Sequence, residues 1–326
     1  MKDVKQEKLY FAIWVRVFSA ISILMCHYVI QSKNIYLNML SQFFNIGVQL
    51  FFILSGFLFG WQKQEREWRK WFKKRIKRIG IPYEIFVLFL YIVFRIVDRE
   101  VVARNWILLV LGMQGTDVKV LGAEHTWFIT ALLICYAMTP IVSLLVSKLV
   151  NNKCWMIIAG VGIIPMLLSI ILEANVLVLI QPVVWYFFAF LLGYCWEKIK
   201  LGKKYAVFAG FIMSFAFLIR ILGRIMLDET LLYERIVVNY TQWIAAFCIF
   251  YILAVACQGL IPSRCIQHIN DISFEIYLCH YMLCVGPIRL FGKISNWMLE
   301  CIVITIISFG LGSILNIIAK AIRRKL

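Results

Sequence analysis

Two residues able to do acid–base or anion chemistry stand where an ionisable group is expensive. Arg16 and His27 lie inside the apolar run YFAIWVRVFSAISILMCHYVI, residues 10–30. In such a run a charged or titratable side chain must face a partner or a polar cavity. Eleven residues separate the two. At about 100° per residue that spacing is roughly 20° from three whole turns, so both occupy one helix face about 16 Å apart along the axis. Arg16 supplies a cation near one end, and His27 supplies near the other an imidazole that titrates in the range of a general base. The plain alternative is snorkelling, each side chain reaching its nearer headgroup layer.

Other segments carry similar groups. GVQLFFILSGFLFGW (47–61) contains Ser55 and Gly56, a place for close backbone approach. GAEHTWFITALLICY (122–136) opens with Glu124, His125 and Trp127, and DISFEIYLCHYML (271–283) carries Glu275, Tyr277 and His280. His280 and Tyr277 read equally well as hydrogen-bonded packing residues, Glu275 as the counter-charge of a nearby cation, and His268 as a solvated loop residue. The run KQEREWRKWFKKRIKRIGIPY (63–83) is strongly basic from Lys63 to Arg78, with Trp68, Trp71, Phe72, Ile76 and Ile79 at roughly helical spacing. It is expected to lie as an amphipathic helix on the cytoplasmic face until Pro82 starts the next crossing. It serves there as a lipid anchor or as a cluster of cations fit for phosphate.

The elements that must position these groups follow from composition. Hydrophobic residues make up 63% of the chain and charged residues 16%, where soluble domains carry about a quarter charged. The apolar residues fall in blocks of about 15–23, the length that crosses a hydrocarbon core. The fold class is therefore all-α, a polytopic membrane bundle of ten spans: 9–30, 43–61, 82–97, 126–147, 154–172, 176–196, 205–222, 240–260, 272–291 and 297–319. NWILLVLGM (105–113) is too short to cross. No long linker divides the blocks, so residues 1–326 read as one transmembrane domain, and the first block is too long and too interrupted for a cleaved signal. Placing the N-terminus inside puts 23 of the 34 Lys and Arg on the cytoplasmic side, from Lys2, Lys5 and Lys8 to the tail, so both termini are expected in the cytoplasm. The net charge of +17 is then matched to anionic lipid headgroups rather than to nucleic acid. Ten scattered cysteines without CxxC indicate neither a disulfide framework nor a metal cluster.

In combination, R-x10-H in the first span, GVQLFFILSGF in the second, KRIKRIGIPY, HTWF opening a later span and S-x3-Y-x2-H near the end resemble the acyltransferase-3 family. The resemblance runs from residue 10 to about 285. It implies an integral membrane O-acyltransferase that moves an acyl group, often acetyl, from cytosolic acyl-CoA to a commonly extracytoplasmic carbohydrate. It makes His27 the catalytic histidine with Arg16 as its companion. Arg75 and Arg78 become the cytoplasmic arginines that meet the donor, beside Ser55 and Gly56, and His125 and Trp127 the H-x-W-F element, with Thr126 where Leu is frequent. His125 is expected to be catalytic with His27 and Arg16, and Glu124, Trp127, Tyr277 and His280 to bind the acceptor. Where many members open the first span with Asp-x-Leu-Arg-Gly this chain has WVRVF, which keeps Arg16 in register. Some relatives continue into a soluble esterase-like domain; ending at AIRRKL, this chain is expected to carry none. The resemblance places the protein in the cell membrane with acetyl-CoA as donor substrate and no metal; a homodimer is compatible with the sequence, which does not fix the oligomeric state. A transporter or exporter of a glycan precursor is the alternative that would also line a path with polar residues. Against it, the first and last five spans share no repeated motif.

Overall fold

The computed structural model describes residues 9–62, 67–97, 100, 103–115, 120–152, 155–172, 174–199, 201–227 and 230–325. Lys2, Lys5, Lys8, Lys63, Arg66, Lys153 and Lys200, which contribute to the charge bias, lie outside the described residues. The described residues form helices and turns, with no strand among them. In chain order these are α1 (Tyr10–Ile30), α2 (Ile35–Phe44), α3 (Gly47–Trp61), α4 (Trp68–Ile96), α5 (Ala103–Val110) and α6 (Trp127–Asn152). There follow α7 (Trp155–Ile171), α8 (Ala174–Tyr194), α9 (Lys203–Leu227), α10 (Asn239–Ala256), α11 (Arg264–Cys284) and α12 (Trp297–Lys325). A 3₁₀ turn, Glu124–Thr126, leads into α6, and a π-helical stretch, Tyr233–Val238, leads into α10.

Among the described residues seven stretches are long and apolar enough to cross a membrane: α1, α4, Glu124–Asn151, Val176–Tyr194, α9, Tyr233–Ala256 and α12. Each of the remaining expected spans is helical but falls short on one count. α3 has 15 residues and the apolar part of α7 is Gly160–Ile171. α11 has 21, diluted by Arg264, His268, Asp271, Glu275 and His280. The outward faces agree with a lipid solvent. Phe211, Phe215 and Ile225 on α9 and Ile306 and Ile317 on α12 are all exposed, an apolar surface too extensive for water.

One local expectation is corrected. The basic run does not end at Pro82: α4 is one helix of 29 residues with Pro82 inside it. Proline removes one N–H and leaves the carbonyl four residues earlier, at Arg78, without its usual donor, and a spanning helix tolerates this where neighbours or water satisfy the freed group. Arg75 and Arg78 consequently belong to the same rod as the crossing. The segment before the second span is a separate helix, α2, started by Asn34, whose side chain accepts from the N–H groups of Tyr36 (2.9 Å) and Leu37 (3.4 Å).

Helix packing is closest where α3 meets α8. A Cβ on Gly60 would stand 2.0 Å from the Phe190 carbonyl oxygen, and one on Gly193 would stand 2.0 Å from that of Phe57. With Gly56 one turn earlier on α3, this is the small-xxx-small contact through which backbones meet in lipid. α1 packs against α2, α3, α10 and α11, and α11 also packs against α12.

Candidate active site

α1 and α11 lie side by side and run the same way, as their contacts show. Arg16 Nη1 donates to Asn270 Oδ1 at 2.7 Å, and eleven residues later His27 meets His280 and Tyr281. Both helices thus advance by the same number of turns between two polar sites, one at the basic end of the bundle and one about 16 Å away.

At the far site three imidazoles gather. The rings of His27 and His280 are 5.2 Å apart between centroids, and those of His125 and His280 are 5.5 Å apart. Tyr281 joins them, edge-on to His27 at 4.9 Å and stacked on His125 at 4.7 Å. His125 is delivered by the turn before α6. Gly122 holds φ at +82°, its N–H donates to Glu124 Oε2 at 2.7 Å, and a Cβ there would stand 2.9 Å from Gly286 Cα. Only glycine therefore lets this turn press against the end of α11. The Tyr277 hydroxyl donates to the His125 carbonyl and pins the turn to α11. His125 and His280 are buried and His27 is half-buried, so His27 is the most exposed of the three imidazoles.

At the basic end a cavity of about 530 Å³ collects Arg16, Ser55, Arg75, Arg78, Lys320 and Arg323. Asp271 and Glu275 also line it, so five cations face two carboxylates. Glu275 is engaged by Asn316 Nδ2 at 2.7 Å, and Asn270 Nδ2 donates to Asp271 Oδ1 at 3.1 Å. The guanidinium of Arg75 lies 4.6 Å from the centroid of the Phe59 ring and 5.8 Å from that of Trp71, so its plane is held by aromatic faces. A surplus of cations at a walled cavity of this size suits an anionic ligand with several phosphate groups.

The two sites share a wall. Phe128 and Tyr277 line the basic cavity. Their rings are 5.2 Å apart, and that of Tyr277 is 4.9 Å from His125 on its other side. One layer of aromatic side chains separates cations from imidazoles. Among the described residues no group of three or more His, Cys, Asp or Glu side chains is disposed to hold a metal ion.

The structure therefore gathers His27, His125 and His280 with Tyr277, and separately Arg16, Ser55, Arg75 and Arg78. It does not bring Gly56 to the cavity: a Cβ there would meet the Tyr186 carbonyl oxygen at 2.7 Å, so Gly56 serves the α3–α8 contact. Trp127 faces the Phe52 ring (6.5 Å, 30°) rather than the imidazoles. Glu124 turns back on its own loop. Sequence reasoning missed Tyr281, Asn270 and the lining role of Lys320 and Arg323. Tyr281 follows His280 directly, and Asn270 stands eleven residues before Tyr281, the offset that Arg16 has from His27. The last two had been counted only as tail charges.

Residues 9–318 match the family model Acyl_transf_3, described as an acyltransferase domain. No curated protein and no solved structure matches the chain. With nearly its whole length covered, the chain belongs to the acyltransferase-3 family and is a membrane acyltransferase.

Proposed function

We propose that the protein transfers an acyl group, in its simplest form acetyl, from cytosolic acyl-CoA to a hydroxyl of an extracytoplasmic or membrane-associated carbohydrate. The observation that carries this reading is the pairing of Arg16 and His27 on one helix face. Arg16 belongs to a cavity with a surplus of cations and His27 to a cluster of imidazoles, with one aromatic layer between them. The basic end faces the cytoplasm of the cell membrane, where the bias of Lys and Arg places it. Arg16, Arg75, Arg78, Lys320 and Arg323 hold the donor's phosphates there, and its thioester arm passes between Phe128 and Tyr277 toward His27.

His27 takes the proton of the attacking hydroxyl on a ring nitrogen as the new C–O bond forms. The C–S bond then breaks, and His27 returns the proton to the leaving sulfur, releasing a free thiol. Neither donor nor acceptor has to cross the membrane.

The test uses membranes containing the protein and acetyl-CoA labelled in the acetyl group. Label should enter a carbohydrate fraction and be released by mild alkali, as an O-ester is. Label confined to lipid or protein, or absent, overturns the reading.

A further inference from the structure

His280 is fully buried, and its ring is fixed in an unusual way. Nδ1 lies 2.7 Å from the carbonyl oxygen of Tyr277 and 3.2 Å from that of Ile276. Carbonyl oxygens only accept, so Nδ1 carries a hydrogen. In the neutral ring the lone pair then sits on Nε2, and that nitrogen is buried without a hydrogen-bond partner. A buried acceptor left unsatisfied is costly, and such a group is a candidate for function. The ring nearest to it by centroid distance is that of His27, at 5.2 Å and tilted by 43°. At that separation two imidazole nitrogens that face each other are within hydrogen-bond reach.

We infer that His280 is a positioning residue for His27, its Nε2 accepting an N–H from the His27 ring and thereby fixing the tautomer of the imidazole that reacts. The inference rests on the proposed role of His27. With one His27 nitrogen donating to His280, the lone pair of the other is directed to the substrate. When that lone pair takes the hydroxyl proton, the charge developing on His27 is met by Nε2 of His280, and the proton leaves by the same nitrogen for the departing sulfur. His280 gains and loses no proton. The arrangement uses a neutral imidazole where the serine hydrolases place a carboxylate behind histidine. His280 is well suited to this task because α11 itself sets its orientation. The backbone carbonyls one helical turn back hold Nδ1, just as a carbonyl behind a metal-bound histidine sets which nitrogen faces the metal.

The test compares three substitutions in the full-length protein, with acetyl-CoA as donor, water as acceptor and thiol release as the readout. His280→Gln keeps an acceptor near the position of Nε2. His280→Asn keeps a donor near the position of Nδ1, able to reach the Tyr277 carbonyl, but offers nothing toward His27. His280→Phe keeps only the shape. We expect Gln to retain kcat within about tenfold, while Asn and Phe lose about 10²–10⁴-fold in kcat with KM for the donor unchanged. A structural role predicts the reverse order, with Asn active and Gln impaired, and that result overturns the inference. Equal losses in Gln and Asn overturn it too. Each variant is first shown to bind CoA by calorimetry as the parent does, which certifies the fold. His27→Ala is run beside them. If it retains full turnover the proposed role of His27 fails, whereas a dead His27→Ala with an active His280→Asn removes only the present inference.

Discussion

Removing one guanidinium from the basic cavity is the perturbation whose size is best fixed by the structure. Arg75 has its guanidinium carbon 4.6 Å from the centroid of the Phe59 ring, so its charge is in place before any ligand arrives. A charge-assisted hydrogen bond to phosphate contributes about 1.5–3 kcal/mol. Arg75→Ala should therefore weaken CoA binding about 10- to 150-fold. Arg75→Lys keeps the charge but loses the fork and most of the stacking on Phe59 and Trp71, and should lose roughly tenfold. Arg78 is exposed at the mouth, where water and salt screen it, and Arg78→Ala should cost much less. The assay is calorimetry of CoA at fixed low salt, repeated with pantetheine, which lacks the phosphates. The substitution should leave the pantetheine dissociation constant unchanged. Equal loss for both ligands, or none for CoA, refutes the assignment of Arg75 to the donor and returns the basic run to lipid anchoring.

Other expectations follow from single contacts. Asn270→Ala releases Arg16 from its 2.7 Å hydrogen bond and should raise the donor KM about tenfold with kcat nearly unchanged, checked by steady-state kinetics. Tyr277→Phe keeps the aromatic layer but removes the hydroxyl that ties the His125 carbonyl to α11, leaving that carbonyl the Trp127 N–H. It should lower stability by about 0.5–1.5 kcal/mol, read as a fall in the thermal-unfolding midpoint, and reduce turnover with it. Gly60→Ala and Gly193→Ala force α3 and α8 apart and should each destabilise by about 1–3 kcal/mol or more, while Gly210→Ala, with open space around it, should be silent in the same unfolding assay.

Much of this site was legible in the sequence because helix geometry converts spacing into direction. The eleven residues between Arg16 and His27 already place both on one face, and the structure adds that α11 repeats the interval from Asn270 to Tyr281. Helical identity was equally legible from the length and apolarity of the blocks. What spacing could not give was partnership between helices remote in sequence. His280 reads alone as a packing residue, and only the contact of α1 with α11 and the pinned turn before α6 make it the centre of three imidazoles. Lys320 and Arg323 read as tail charges, because nothing local says that α12 returns to the cavity that α4 enters. Gly56 misled for a related reason. A glycine invites close approach, but its spacing to Gly60 serves a helix rather than a ligand.

The central claim is that cations at one end hold the donor while an imidazole at the other performs the transfer. It is tested most directly by measuring both activities in one variant, His27→Ala, using CoA calorimetry and acetyl transfer from labelled acetyl-CoA in native membranes. The account predicts CoA binding within about threefold of the parent and transfer lowered by at least about 10²-fold, the scale of a lost general base. Transfer at the parental rate, or CoA binding lost together with transfer, would contradict it.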